Sequence, residues 1–297
     1  MFILFLWRQT IKKTDARLSK YINIGIKVIL VVLIVQVAVY VDARYIEPNS
    51  IKLERLQITN SNFPKDLNKL RVVQISDLHI EKNGYREHSL VWKVNSLKPD
   101  IILITGDFLN RREGLVPVIS TLSKLRAKKG IFAVLGDIDY YAFRKHDVSE
   151  LKTALKKINI NVLYNQNIRV PLSGEEGMWL IGLSRASVKK EIIKQAYRGV
   201  NFSEPKILLV HGQEIMDSGY INSKNADLVL VGDTHGTQMG IDFIRNFSGY
   251  ASRHKYVAGL FYIEGVPLYV NRGIGTKTKP IRFFCRPEIT LIKLTRG

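Results

Sequence analysis

The chain has a single cysteine, Cys285, among its 297 residues, so a disulfide within the chain is excluded and the cysteine count does not indicate a compartment. It also lacks an internal repeat, a low-complexity segment and a linker rich in proline, serine or glycine, which disfavours a second domain. Acids are few: 26 Asp and Glu stand against 45 Lys and Arg, a net charge of +19. This excess predicts an anionic partner, such as a membrane surface, a phosphorylated substrate or nucleic acid. Nucleic acid is the least favoured, because zinc-finger and RNA-recognition signatures are absent.

A long apolar run follows a basic N-terminal stretch. Ile22–Val41 contains 20 residues, enough to cross a hydrocarbon core about 30 Å thick. Residues 1–27 hold six basic residues and one acid, so the positive-inside rule predicts a cytoplasmic N-terminus and an extracytoplasmic remainder. A cleaved signal peptide and a buried core helix are less favoured, because "VDARY" is a poor cleavage site and the β-branched run has no polar face. We therefore predict a single-pass membrane anchor over residues 1–42 and one α/β domain over residues 43–297.

Three further apolar runs each lead to an aspartate. "LRVVQIS" precedes Asp77, "DIILIT" leads to Asp107, and "IFAVL" leads to Asp137. The two intervals are 30 residues each, which fits one βαβ unit, and the stretches between them show helical periodicity. Right-handed crossovers make such strands parallel and bring together their carboxyl ends, where α/β sheets bind ligands. The three aspartates should therefore converge at one edge of a sheet.

Histidines follow strands in the same way. His79 comes two residues after Asp77, His211 follows "PKILLV", and "ADLVLV" leads to Asp233 and His235. A lone aspartate of this kind is often a helix cap, and a lone histidine is often a core residue. Five strand-end clusters in one chain are hard to explain by chance. Carboxylates mixed with imidazoles suit Mn²⁺, Fe, Mg²⁺ or Zn²⁺, and a shared carboxylate can hold two ions about 3.5–4 Å apart.

The order of these motifs resembles the calcineurin-like binuclear metallophosphoesterase family, from about residue 70 to residue 294. That family has D-x-H, G-D, G-N-H-D, a histidine after a strand, and G-H-x-H; the corresponding stretches here read "DLH", "GD", "GDID", "H" and "GDTH". The resemblance implies an α/β fold of two packed mixed β-sheets flanked by helices. It also implies hydrolysis by a metal-activated hydroxide that attacks phosphorus. The anchor and the tail resemble a membrane-bound branch that includes the UDP-diacylglucosamine pyrophosphatases of lipid A synthesis.

The resemblance further implies two divalent ions that share the catalytic residue Asp107. The first would be held by Asp77, His79, Asp107 and His235, and the second by Asp107, Asp137, His211 and Asp233. Because the second set is rich in carboxylates, Mn²⁺ is the first expectation, with Mg²⁺, Fe or Zn²⁺ as alternatives.

Three residues depart from the family pattern. Asp137 stands where the family has asparagine, Ile138 where it has the catalytic histidine, and Asp233 where it has the first histidine of G-H-x-H. The two aspartates keep a ligand but add negative charge. Isoleucine can neither stabilise nor protonate a leaving oxygen, a loss that typically costs on the order of 10²–10⁴ in rate. That loss matters least when the leaving group is already a stable anion, such as the phosphate of a pyrophosphate ester.

Three other polar residues are candidates near the site. The resemblance gives Asp139 a catalytic part, that of orienting the missing histidine, with capping of the next helix as the alternative. Asn110 and Arg272 are candidates for contact with substrate, and a turn-forming role is the alternative for each.

These observations favour a membrane-anchored, metal-dependent phosphoesterase or pyrophosphatase that acts on a phosphorylated lipid or a nucleotide-linked lipid. Two alternatives remain open: a degenerate member that binds metal or phosphorylated lipid without turnover, and a nucleic-acid phosphodiesterase. The charge rule places the domain outside the cytoplasm, whereas the resemblance to lipid A enzymes favours the cytoplasmic face.

Overall fold

A long, exposed helix begins the chain. The computed structural model describes residues 2–61, 63–143, 148–172, 174–184, 189–238, 255–277 and 280–297, with side chains from residue 18 onward. Helix α1 spans Phe2–Val41, and a π-helical turn, Asp42–Ile46, and a 3₁₀ turn, Glu47–Asn49, continue it. Within the described chain, Leu18–Asn49 is long and apolar enough to cross a membrane, and its most apolar window is not buried. This helix is therefore a candidate membrane span, as the sequence predicts.

Twelve strands lie in the described part of the chain and form two six-stranded sheets. The first sheet has the order β1-β12-β2-β3-β4-β5 and the second the order β10-β11-β9-β8-β7-β6. The strands of the first sheet are β1 (Lys52–Thr59), β2 (Val72–Ile75), β3 (Ile101–Thr105), β4 (Gly130–Val134), β5 (Ile160–Val162) and β12 (Glu288–Thr295). Those of the second are β6 (Gln166–Pro171), β7 (Gly177–Gly182), β8 (Lys206–Leu209), β9 (Leu228–Val231), β10 (Gly259–Ile263) and β11 (Val266–Val270).

Five shorter helices accompany the sheets within the ranges that the structure describes: α2 (Tyr85–Ser96), α3 (Leu115–Leu122), α4 (Asp137–Ala142), α5 (Ser149–Lys157) and α6 (Lys190–Ala196). Short 3₁₀ turns lie at Lys65–Lys69, Arg112–Gly114, Gln213–Ser218 and His235–Thr237. The helices pack through residues spaced four apart on one face. In α2 these are Leu90 and Val94, and in α5 they are Leu151 and Leu155, all buried.

The two sheets pack face to face between layers of helices. One buried cluster joins the first sheet to the second, with Leu103 and Phe132 on one side and Leu180 and Leu209 on the other. The outer face of the first sheet packs against α2, α3 and α5, and that of the second packs against α6. Strands covered on both faces need apolar side chains in both directions, and β3 is accordingly buried at every position. The predicted fold of two mixed sheets flanked by helices is confirmed.

Parallel pairing brings the strand ends together. Strands β2, β3 and β4 are neighbours and parallel in the first sheet, as β8 and β9 are in the second. Buried Gln74 of β2 links the sheets near these ends, because its side-chain amide donates to Thr105 Oγ1 and to the Val231 carbonyl, both at 3.1 Å. The polar residues after five strands therefore face a common region.

Two segments near the site are less regular than their neighbours. Helix α3 ends at Leu122, where 3₁₀-type turns replace it. Cys285 lies in the loop before β12, which begins at Glu288. Cys285 is nevertheless buried, with 1% of its surface exposed, because its thiol lies against the backbone carbonyls of His235 and Gly236.

Candidate metal centre

The first sheet supplies three buried polar residues just beyond its strands. Asp77 and His79 follow β2, Asp107 follows β3, and all three side chains are essentially excluded from solvent. Their backbones have φ values of 48°, 43° and 54°, in the left-handed region that side-chain-bearing residues rarely adopt. Such strain persists where the surrounding structure enforces it, most often at functional sites.

The second sheet supplies the opposite wall. His211 follows β8, and Asp233 and His235 follow β9; the latter two also have positive φ values of 66° and 51°. A hydrogen bond joins the two walls. The backbone N–H of Asp233 donates to the carboxylate of Asp77, and its nitrogen lies 3.1 Å from each carboxylate oxygen. Turns that come from different sheets are thereby held at a fixed separation.

Four of these residues form a compact group of ligand atoms. One atom from each of Asp77, His79, Asp107 and His235 lies within 4.8 Å of every other, and all four side chains are buried. The Nε2 atoms of His79 and His235 are 3.0 Å apart and point toward each other. His235 Nε2 is also 3.4 Å from Asp77 Oδ1. Facing imidazole nitrogens beside buried carboxylates fit a divalent ion, which both nitrogens and oxygens can bind.

Asp107 connects this group to a second one. Its Oδ2 atom lies 3.5 Å from His79 Nε2 and 3.4 Å from His211 Nε2. Both Asp107 Oδ2 and His211 Nε2 are buried and have no hydrogen-bond partner among the described residues. Buried polar atoms are normally satisfied, so these two fit metal coordination. His211 Nε2 is also 3.7 Å from Asp233 Oδ1, which groups Asp233 with it.

Burial and mutual charge perturb the ionisation of the group. Burial raises the pKa of Asp77 to about 7 and lowers the pKa of His79 to about 4. Burial opposes the charged forms of Asp107 and His211 as well, but their mutual attraction prevails. It lowers the pKa of Asp107 to about 2 and raises the pKa of His211 well above its usual range. The raised pKa values of Asp77 and His211 mean that protons compete with a divalent ion for these two ligands.

Two side chains are turned toward the centre by partners behind them. His79 Nδ1 is 2.6 Å from Asn110 Oδ1, and Asn110 Nδ2 donates to Glu81 at 2.9 Å, which fixes the amide orientation. His211 Nδ1 is 2.7 Å from the Thr105 carbonyl. Each contact leaves Nε2 facing inward, as outer partners do for metal-bound histidines. Asn110, predicted to contact substrate, thus has a direct role in orienting His79, and its substrate contact stays a prediction.

Asp139 lies beneath the centre. Its buried carboxylate accepts backbone N–H groups from Gly136 at 2.9 Å, Asp107 at 3.0 Å and Phe108 at 2.8 Å. Burial and the Asp107 charge raise the pKa of Asp139 to about 8. The capping alternative thus describes its contacts: Asp139 caps α4 and ties it to the turn after β3. Its catalytic role stays a prediction.

The residues around Asp139 in "LGDIDYY" have different environments. Ile138 is half-buried and lines a cleft of about 820 Å³ together with His79 and Asn110. Its backbone N–H donates to Asp107 Oδ1 at 2.9 Å. The apolar side chain thus occupies the cleft beside the candidate ligands. Asp137, the first residue of α4, is exposed and is not among the four grouped ligands, so its metal role stays a prediction.

The structure also brings Lys277 to the candidate centre, a residue that was not predicted from the sequence. Its ammonium group is 3.5 Å from Asp233 Oδ1, and its side chain lines the cleft with Ile138. Burial opposes its charge, but Asp233 and the other carboxylates raise the pKa of Lys277. Its place in the tail "GIGTKTKP", 44 residues after Asp233, gives no local signal of this contact.

Arg272, the other predicted substrate contact, is engaged elsewhere. Its guanidinium donates to Glu288 Oε2 at 2.6 Å and also to Glu54. It lines a different cavity, beside Phe284 and Arg286. Two carboxylates neutralise its charge, and its contact with substrate stays a prediction.

Comparisons with known proteins give several matches. The family model for the calcineurin-like phosphoesterases matches residues 70–237. The UDP-2,3-diacylglucosamine pyrophosphatase LpxG of Chlamydia muridarum is 29% identical, over 86% of this chain and 93% of that protein. A bovine transmembrane protein with metallophosphoesterase domain is 27% identical over 80% of this chain, which covers 56% of the bovine protein. A solved structure, the phosphopantetheinyl hydrolase of Mycobacterium tuberculosis, matches 71% of this chain and 94% of that one, with a TM-score of 0.43 and 11% identity.

Proposed function

Because the chain belongs to the calcineurin-like phosphoesterase family, we propose that it hydrolyses a phosphoric ester or pyrophosphate bond in a lipid-linked substrate, with two divalent ions at the centre. The observation that carries the proposal is the position of Asp107. Its Oδ2 atom has no hydrogen-bond partner in the described part of the chain and lies within 3.5 Å of the inward-facing Nε2 atoms of two histidines. One carboxylate between two sets of ligands is the arrangement that a binuclear centre requires.

The ligands divide between the ions as follows. Asp77, His79 and His235 would hold the first ion with Asp107, and His211 and Asp233 would hold the second with the same carboxylate. Bound there, the ions would activate water and neutralise charge on the phosphoryl oxygens. Asp137 completes the second set in this proposal. Mn²⁺ is the expected ion, since the second set has more carboxylate than imidazole ligands.

The protein's own side chains would orient the phosphoryl group and stabilise its charge. Lys277 brings a positive charge to the cleft wall beside Asp233, where it offsets the extra carboxylate and can attract phosphoryl oxygens. Asn110 keeps His79 in the tautomer that leaves Nε2 available. Ile138 offers no proton to a leaving group, so leaving groups that are stable anions should react best.

Pyrophosphate bonds satisfy this requirement, because the departing phosphate needs no proton. The relative from Chlamydia muridarum is named as a pyrophosphatase of UDP-2,3-diacylglucosamine. We infer that the substrate here is a nucleotide-linked or phosphorylated lipid, and that α1 holds the protein at the membrane. The charge rule favours an extracytoplasmic catalytic domain, and a cytoplasmic one would suit a lipid A precursor.

The test is a substrate panel with the full-length protein in detergent, freed of metal and then supplied with Mn²⁺. A phosphomonoester, an aryl phosphodiester and UDP-2,3-diacylglucosamine should be compared, with Asp107→Ala as the inactive control. We expect metal-dependent hydrolysis, fastest for the aryl diester or the pyrophosphate. If Mn²⁺ binds and none of the three substrates reacts, the proposal fails. A binding protein without turnover then becomes the better account. It is already the second candidate, because an isoleucine lines the cleft.

A further inference from the structure

The cleft at the centre is also lined by residues that immediately follow the apolar helix. Besides His79, Asn110 and Ile138, its lining includes Arg44 and Tyr45. Val41 ends α1, and the π-helical turn Asp42–Ile46 continues directly from it. At about 1.5 Å per residue, Arg44 lies roughly 5 Å beyond the last residue of α1. That distance corresponds to the headgroup layer of a bilayer, which adds roughly 5–8 Å to each side of the hydrocarbon core.

The end of the helix is fastened to the two-sheet core. The Ala43 carbonyl accepts the backbone N–H of Arg282 at 2.9 Å. The buried carboxylate of Glu47 accepts the N–H of Phe284 at 2.8 Å and that of Cys285. Arg282 is itself fully buried and donates to surrounding backbone carbonyls, which stiffens this loop. The cleft is therefore fixed in position relative to the end of the helix.

The chemistry of the cleft suits a charged headgroup and not acyl chains. Among the described residues, five basic side chains and two acidic ones line it; one of the acids, Glu87, is paired with Arg86 at 2.7 Å. The aliphatic side chains in its lining are those of Pro48, Ile138 and Pro280, and no leucine, valine, methionine or phenylalanine is among the lining residues that the structure describes. Desolvating long acyl chains needs a continuous apolar surface. An amphiphile would thus leave its chains in the bilayer and insert only its anionic head.

Arg44 and Tyr45 have the properties of an interfacial subsite. The Arg44 guanidinium lies 4.9 Å from the centroid of the Tyr45 ring, a cation–π contact that orients both. Tyrosine is enriched at the membrane interface, and basic side chains there attract anionic headgroups. Tyr45 is 56% exposed, so its ring is accessible to a headgroup.

Building on the proposed function, we propose that the substrate is hydrolysed while it remains in the membrane, and that Arg44 and Tyr45 bind the part of its headgroup next to the bilayer. This subsite selects membrane-resident phosphorylated amphiphiles over soluble phosphodiesters. It takes no part in the chemical step.

The experiment uses the full-length protein in nanodiscs with two substrates: UDP-2,3-diacylglucosamine in the same discs, and bis(p-nitrophenyl) phosphate in solution. The variants are Arg44→Ala and Tyr45→Ala. Arg198→Ala and Tyr262→Ala change matched residue types that do not line the cleft. We expect Arg44→Ala to lower kcat/KM for the embedded lipid by about tenfold or more, as loss of a charge-assisted hydrogen bond typically does. Hydrolysis of the soluble diester should change less than about twofold, and the control variants should match the unaltered protein.

The outcomes separate this inference from the proposed function. Equal losses on both substrates would show a general structural role for Arg44 and Tyr45 and would overturn the inference, as would unchanged hydrolysis of the embedded lipid. Hydrolysis of the soluble diester alone by the unaltered protein would also overturn it, while phosphoesterase activity would stand. No hydrolysis of either substrate would contradict the proposed function itself.

Discussion

Replacing Gly136 with alanine tests how closely α4 approaches the shared carboxylate. A Cβ atom built on Gly136 would collide with Asp107 Oδ1 and would lie 2.5 Å from the Asp107 backbone nitrogen. The backbone has φ −97°, so alanine is conformationally allowed, and the collision is the main new cost beside a small loss of N-cap preference. Overpacking of this kind costs about 1–3 kcal/mol. In a protein of this size, that lowers Tm by about 2–12 °C.

Gly84 provides a matched control within the same fold. Both glycines precede a helix, and the backbone N–H of each donates to an acid three residues later at 2.9 Å. A Cβ atom on Gly84 would meet only the flexible Glu87 carboxylate, at 3.1 Å. Gly84→Ala therefore carries the same capping cost without moving a ligand.

One assay is thermal unfolding of the metal-free full-length protein in detergent. A second assay measures bound Mn²⁺ on separate folded samples that have been saturated with Mn²⁺ and freed of excess ion. We expect the Tm of Gly136→Ala to be about 2–12 °C lower than that of Gly84→Ala. Gly136→Ala should also retain less Mn²⁺, because Asp107 must move. Equal Tm values and equal metal content for the two variants would refute the close approach on which the reasoning depends.

Three other predictions concern charge and protons at the centre. Ile138→His should raise turnover of alkyl phosphodiesters and leave activated aryl diesters almost unchanged, because only the former need a proton on the leaving group; equal gains on both would contradict this. Lys277→Ala should lower kcat/KM by about tenfold, whereas Lys277→Arg should stay within about threefold, since the charge beside Asp233 is what matters; equal losses would point to a structural role. Apparent Mn²⁺ affinity, measured by calorimetry, should rise between pH 6 and pH 8 with release of protons, because a raised pKa near 7 at Asp77 and a raised pKa at His211 make protons compete with metal; an affinity that is independent of pH would show that neither group is a ligand.

Local patterns in the sequence predict most of the residues that the structure brings together at the candidate centre. An apolar run that ends in an acid or a histidine identifies a buried strand and the turn after it. Parallel pairing then brings Asp77 and Asp107 together in the first sheet and His211 and Asp233 together in the second, without any knowledge of the surrounding loops. The positive φ values of these turns were not predictable, because the preference for left-handed backbone at Asp77 comes from tertiary contacts and not from its residue type.

Long-range contacts account for what the sequence did not reveal. Lys277 reaches Asp233 only because the segment after β11 returns across the strand ends. Arg272 is held by Glu54 and Glu288, which belong to distant strands paired in parallel in the first sheet. The attachment of Glu47 to the loop before β12 likewise joins two segments that are more than 200 residues apart in the sequence. No local periodicity encodes such pairs.

The measurement that tests the central claim most directly is the rate of bis(p-nitrophenyl) phosphate hydrolysis as Mn²⁺ is added in known equivalents to the metal-free full-length protein. The proposed centre predicts a rate that is negligible without metal, rises with added ion and levels off at two equivalents per chain, while Asp107→Ala stays inactive throughout. A rate that does not depend on metal, or one that levels off at a single equivalent, would contradict a two-ion centre built around Asp107.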